Sequence, residues 1–131
     1  MSTLIEDNEK FQSKFGFDKV PFDEDKLNFR NDLLSEEYFE IQKALDERNA
    51  EEWVDGHVDI IVIALGNLKL AGVDPQKAWD EVVRANMSKE RGVKPGREQS
   101  GGFDVIKPEG WTGPDHSDNH GVLDGIFSKS E

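Results

Sequence analysis

An all-α bundle of about four to five helices, with an irregular C-terminal tail, is the fold this sequence predicts. Three observations carry the expectation. Apolar residues recur at helical spacing in four successive segments. Residues suited to helix ends stand at the boundaries between those segments. After Arg91 the chain turns rich in Gly and Pro and loses any helical period.

The first segment, "STLIEDNEKFQSKFG", opens with Thr3 and Glu6 in the spacing of a capping box. Leu4, Phe11 and Phe15 share one face, and Gly16 suits the stop. "FDKVPFDEDK" reads as a connector. From about Asp25 to Arg48, Leu27, Leu34, Tyr38, Ile41 and Leu45 form one apolar stripe. A third helix is expected from about Glu51 to Ala71, with Val54, Val58, Ile61, Leu65 and Leu68 on its seam. Ile60, Val62 and Ile63 extend the apolar surface nearly all round, so the middle of this helix is expected to be buried on several sides. In "AGVDP", Gly72 suits a helix end, Asp74 an N-cap, and Pro75 the first turn of a fourth helix running to about Lys89. That helix buries Ala78, Val82 and Ala85. In the tail, "FDVIKPEGW" reads as a short strand or an extended arm. The expected division is a helical domain over 1–91 and a tail over 92–131.

The chain has 131 residues, enough for one core, but only 35% are hydrophobic and 34% are charged. So lean a composition suggests that apolar surface is buried between subunits. The net charge of −12 and pI near 4.6 repel a phosphate backbone, which argues against a nucleic-acid polymer as partner. A nucleotide arriving as a magnesium complex is still admissible, because the metal inverts the local sign. With no cysteine, disulfides and zinc–thiolate sites are excluded. "MSTLIEDNEKF" lacks the pattern of a signal peptide, and the apolar run "IIVIAL" is too short to span a bilayer. A cytoplasmic setting with no membrane partner is expected, that of a host cell if the gene is phage-borne.

The residues that invite chemistry are acidic. Glu37 shares a helical face with Glu40, and Glu36 with Glu40. Leu33 and Ala44 continue the Glu37–Glu40 side, so these carboxylates flank the packing seam. On the third helix Asp55 and Asp59 share a face that continues into Val62 and Gly66. Like charges buried together are costly unless something compensates. Lys43 and Arg48 lie further along, so a divalent cation held by hard oxygen ligands is the natural compensation: Mg²⁺, Mn²⁺ or Ca²⁺. Facing helices of a bundle can supply such ligands. The plain alternative is a solvated acidic face, which accounts for most isolated E-E-x-x-E patterns. It fits Asp55 and Asp59 less well, because their helix has little polar face to spare.

Three ordered pieces, "RNDLLSEEYFE", "DGHVDIIVIALGNLKLAGVD" and "VVRANMSKE", resemble the MazG-like all-α nucleoside triphosphate pyrophosphohydrolases, above all their short phage-type, phosphoribosyl-ATP-pyrophosphohydrolase-like members. The resemblance covers about Phe11 to Glu90, and "KPEGW" is similar to the same subgroup. It implies hydrolysis of a nucleotide between the α and β phosphates, with Mg²⁺ held by an E-x-x-E pair and an acidic pair on the next helix. Glu37 and Glu40 match the first pair, and Asp59 matches the Asp of the commoner E-x-x-D motif. Gly56 stands where that motif has its Glu; Asp55 resembles the D-x-x-x-D form of the short subgroup and acts directly or through a water. Glu36 either holds a further Mg²⁺ or orients the attacking water, as the catalytic base. By the same resemblance Asn86 and Lys89 contact the nucleotide, and Arg91 is added by proximity. The alternative for these three is capping of a helix C-terminus. The resemblance also implies self-assembly, as a tetramer built from dimers. Two other readings stand beside it: a phosphoribosyl-ATP pyrophosphohydrolase of histidine biosynthesis, and a non-catalytic helical assembly or regulatory module with a degenerate metal site.

Other residues are read more plainly. Trp53 is taken as core or interface in preference to a base-stacking platform. His57 points away from Asp55 and Asp59 by helical angle and is structural. Asp115, His116, Asp118 and His120 are read as a flexible polar loop in preference to a metal site.

Overall fold

The computed structural model describes residues 1–128. Its elements are five α-helices, two 3₁₀ turns and one two-stranded hairpin among the described residues. The helices are α1 (Leu4–Lys14), α2 (Glu24–Asp46), α3 (Ala50–Leu70), α4 (Pro75–Met87) and α5 (Leu123–Ser128). The strands are β1 (Glu90–Arg91) and β2 (Val105–Ile106), paired antiparallel. The chain forms two compact units. One holds residues 1–75 and 120–128; the other holds Gln76–Asn119.

In the first unit the helix starts follow local chemistry. Thr3 accepts a hydrogen bond from the Glu6 amide, Asp23 from that of Lys26, and Asn49 from that of Glu52. Each side chain satisfies an amide that the first helical turn leaves unpaired. The α2–α3 turn is closed by the Asn49 amide on the Ala44 carbonyl at 2.8 Å, with Arg48 in the left-handed region. At the end of α3, Gly72 takes a φ of +78°, and the Val73 amide reaches back to the Leu68 carbonyl. The expected boundaries therefore hold to within a few residues. A 3₁₀ turn, Phe17–Lys19, occupies the expected connector.

α3 packs against α2 over the most extensive helix contact and against α1 over a smaller one. The seam has a readable antiparallel register. Ile41 of α2 faces Gly56 of α3, and Arg30 of α2 reaches Ile63 and Asn67 of α3. α5 is tied to the end of α3 by the Val122 amide on the Ala71 carbonyl. A Cβ on Gly121 would lie 1.9 Å from that carbonyl oxygen, so this junction requires glycine.

The buried apolar side chains of the first unit are small or few: Ala44, Ala71, Val73 and Ile126. The expectation that mid-α3 is enclosed is not met in the single chain. Ile61 is 45% exposed and Val62 38%, and Tyr38 and Leu45 of the α2 stripe are exposed as well. The reason is geometric: α1 and α2 cover only part of the circumference of α3. Among the described residues no single helix is long and apolar enough to cross a membrane.

The second unit contains α4 from Gln76 and the expected strand at Val105–Ile106, in a hairpin too short for its partner strand to show a period in sequence. Asp104, nearly buried, organises the turn. Burial pushes its carboxyl up, but the Val105 and Lys94 amides and the Arg97 guanidinium outweigh that and hold it below the usual carboxylate range. The tail is thus more ordered than its composition suggests, with a hairpin, a 3₁₀ turn and α5 within it.

Candidate metal centre

The carboxylates singled out by spacing come from α2 and α3. Glu36, Glu37 and Glu40 stand within one turn of α2, and Asp59 stands on the facing stretch of α3, between the Ile41–Gly56 and Arg30–Ile63 contacts. Glu37 records their convergence. Burial pushes its carboxyl up first, followed by a hydrogen bond with Glu40 and by the negative charges of Glu40, Asp59 and Glu36, to about 7. Its Oε2 is shut from solvent and has no hydrogen-bond partner among the described residues. A buried acceptor oxygen without a donor, surrounded by like charges, is an arrangement that a cation relieves.

The donor chemistry fits a hard divalent cation: carboxylate oxygens only, with one of them orphaned. The geometry is not preassembled. Among the described residues no three acidic or histidine side chains already stand in the arrangement of a cation site. Glu36, Glu40 and Asp55 are exposed, so their rotamers are free to adjust.

Asp55 and Gly56 explain how this chain departs from the commoner motif. Gly56 is buried against α2, and a Cβ there would lie 2.6 Å from Cγ1 of Ile41. A Glu at that position has no room unless Ile41 moves. Asp55, one residue earlier, is exposed on α3.

One residue beside the seam escaped the sequence reading. Arg30 is half-buried, and burial pushes its guanidinium below the ordinary value. It donates to Asn67 Oδ1 at 2.8 Å and to the Ile63 carbonyl at 3.4 Å. It crosses over Gly66, where a Cβ would meet Arg30 Nη2 at 2.6 Å and Gln12 Nε2 at 2.8 Å. The available signal was the seven-residue spacing from Glu37, which sets both on one helix face. Asn8, whose side chain donates to the Val62 carbonyl at 3.1 Å, adds a second polar tie to α3. A cavity of about 160 Å³ lined by Phe17, Phe22, Phe29 and Leu70 opens beside Arg30.

The remaining expected residues lie as follows. Trp53 is partly exposed on α3, its ring 3.9 Å from that of His57, and His57 Nδ1 lies 2.7 Å from the Trp53 carbonyl. The structure thus gives His57 a local backbone partner. Asn86, Lys89 and Arg91 belong to the second unit. Asn86 is exposed in the last turn of α4, and its carbonyl accepts the Lys89 amide at 3.1 Å. Lys89 approaches the Trp111 ring, and Arg91 lies in β1. In the polar loop, Asp118 pairs with Lys77 at 2.7 Å, and the Asp115 amide donates to Glu81. His120 lies 3.1 Å from Asp124.

The two arms of the α2–α3 hairpin thus both bring carboxylates to their seam. Residues 1–86 match the family model for phosphoribosyl-ATP pyrophosphohydrolase. The match spans well over half the chain, and the protein belongs to that family, within the MazG-like superfamily. Enzymes of this superfamily generally use divalent metals. The match takes in α1, α2, α3 and nearly all of α4, and it ends before Lys89, Arg91 and the hairpin. No curated protein matches the chain.

Proposed function

We propose that this protein is a Mg²⁺-dependent pyrophosphohydrolase that splits a nucleoside or deoxynucleoside triphosphate into the monophosphate and pyrophosphate. The observation that carries the proposal is the crowding of Glu37 by Glu40, Asp59 and Glu36, with an orphaned carboxylate oxygen at its centre. An acidic pocket holds a polyphosphate only through a cation, so the same crowding that destabilises the empty site provides the metal's ligands.

Glu36, Glu37, Glu40, Asp55 and Asp59 are the residues proposed to hold the ion. Bound Mg²⁺ supplies charge neutralisation at the phosphoryl oxygens and a water of lowered pKa. The Glu36 carboxylate accepts the proton of the attacking water, whose oxygen bonds to the α phosphorus as the bond to the bridging oxygen breaks and pyrophosphate departs. Asn86, Lys89 and Arg91 are proposed to bind the substrate. The partly exposed aromatic and aliphatic faces of α2 and α3, Tyr38, Phe39, Val58 and Ile61 among them, support self-assembly into a dimer of dimers.

The description of the matched family favours a second substrate, phosphoribosyl-ATP. A panel of canonical and modified triphosphates with phosphoribosyl-ATP, assayed for pyrophosphate in Mg²⁺, separates the two readings. Anion-exchange analysis of an early time point is expected to show monophosphate and pyrophosphate together. Diphosphate with orthophosphate would refute the assigned bond cleavage. Silence across the panel would favour a non-catalytic module.

A further inference from the structure

The hairpin of the second unit sets two lysines against each other. In its register Glu90 lies opposite Ile106 and Arg91 opposite Val105. Lys89 and Lys107 adjoin the paired residues Glu90 and Ile106, at the same end of the hairpin. Two like charges at one end of a hairpin repel each other.

Instead of splaying apart, both ammonium groups turn to one indole. Lys89 Nζ lies 5.3 Å from the centroid of the Trp111 ring and Lys107 Nζ 4.9 Å from it. Each is within reach of a cation–π attraction. Two distances of about 5 Å to one point put the two charges at most about 10 Å apart. Trp111 is held in place, since its Nε1–H donates to the Ala85 carbonyl at 2.8 Å. The hairpin is held as well, by nearly buried Asp104 on Arg97 and on the Lys94 and Val105 amides.

Three other cations of this unit have carboxylate partners: Lys77 with Asp118, Arg84 with Glu81, Arg97 with Asp104. Lys89 and Lys107 form no ion pair among the described residues, in a chain of net charge −12. Acidic side chains are abundant, yet none is spent here.

We infer that Lys89, Lys107 and Trp111 form an anion site that takes a polyphosphate group. Two charges gathered at one ring match an anion whose charge is spread over two or three phosphoryl groups, whereas a single carboxylate would neutralise only one. Lysine serves phosphate as a point-charge donor. Trp111 acts as a positioning residue that gathers the two ammonium groups. The inference stands on the hairpin and its tryptophan, and it does not depend on the carboxylates of α2 and α3. Lys107 and Trp111 also lie outside the segment that matches the family.

The test is calorimetric titration of the full chain in EDTA and low salt, with inorganic pyrophosphate in one arm and a non-hydrolysable triphosphate analogue in the other. Metal-free binding of at least one is expected, weakening as salt is raised. Lys107→Gln and Lys89→Gln are each expected to weaken it about tenfold, the loss of one charge-assisted contact. Lys107→Arg and Glu40→Gln are expected to bind within about twofold of the parent. Equal affinity in the two arms identifies the phosphates alone as the ligand; tighter binding of the analogue identifies a nucleotide. Absence of metal-free binding in both arms overturns the inference, as does binding that Lys107→Gln leaves unchanged. Should Lys107→Gln fail to fold, as judged by circular dichroism, the parent decides: salt-independent affinity refutes the site.

Discussion

Replacing Glu37 by Gln tests the physical basis of the proposed metal centre without any assay of turnover. In the metal-free protein the Glu37 carboxyl is raised from 4.5 to about 7 by burial, by Glu40 and by the charges of Asp59 and Glu36. The folded state therefore holds this proton more tightly than the unfolded state. Its contribution to stability is fully present below about 4.5 and is lost as pH rises through about 7. At about 1.4 kcal/mol per pH unit the full shift corresponds to roughly 3 kcal/mol. The α2 face is open to solvent beside Glu37, and screening brings the expected cost down to about 1–2 kcal/mol. The parent's own pH profile also contains the general repulsion of a chain with net charge −12, so the informative quantity is the gap between parent and variant. In EDTA the Glu37→Gln variant should come close to the parent near pH 4 and be more stable by about 1–2 kcal/mol at pH 8, a few degrees in melting temperature. Adding Mg²⁺ at pH 8 should then raise the parent's melting temperature and leave the variant's nearly unmoved, because a ligand stabilises in proportion to its affinity for the folded state. Melting curves at several pH values, with and without Mg²⁺, read both effects. A gap that stays flat from pH 4 to pH 8 would mean that the carboxylates are a solvated face, and the reasoning from crowding would fall with it.

Other expectations follow from particular contacts. Gly121→Ala places a Cβ 1.9 Å from the Ala71 carbonyl oxygen at a φ of +56°, and it should cost at least about 2 kcal/mol by chemical denaturation. Gly56→Glu restores the commoner motif but drives a side chain into Ile41, so it should lose about 1–3 kcal/mol, part of which Ile41→Ala should return. A variant as stable as the parent would show that the seam can open at Gly56. Light scattering at micromolar concentration should give a mass well above 14.8 kDa, given the exposed apolar faces of α2 and α3. A monomer with full activity would contradict the assembly.

Much of the fold was legible in the sequence because its determinants are local. A cap such as Thr3 acts on an amide three residues away, and a helical stripe repeats within a turn, so α1 to α4 could be placed from spacing alone. The pairing of Glu37 with Glu40 on one face followed from the same arithmetic. α5 and β1 were not legible: one is less than two turns long, the other two residues, and each is held by partners distant in sequence, Ala71 and Val105–Ile106. Sequence also set the chemistry of the centre, hard oxygen donors and no thiolate. Only the tertiary structure brought Asp59 to Glu37, buried one carboxylate oxygen without a donor, and showed why Gly56 replaces an acidic residue beside Ile41. It likewise turned Lys89 and Lys107 onto a single indole. Each of these depends on the register between elements far apart in the chain. Register is decided by how side chains interdigitate across a seam, and no periodicity within one segment records it.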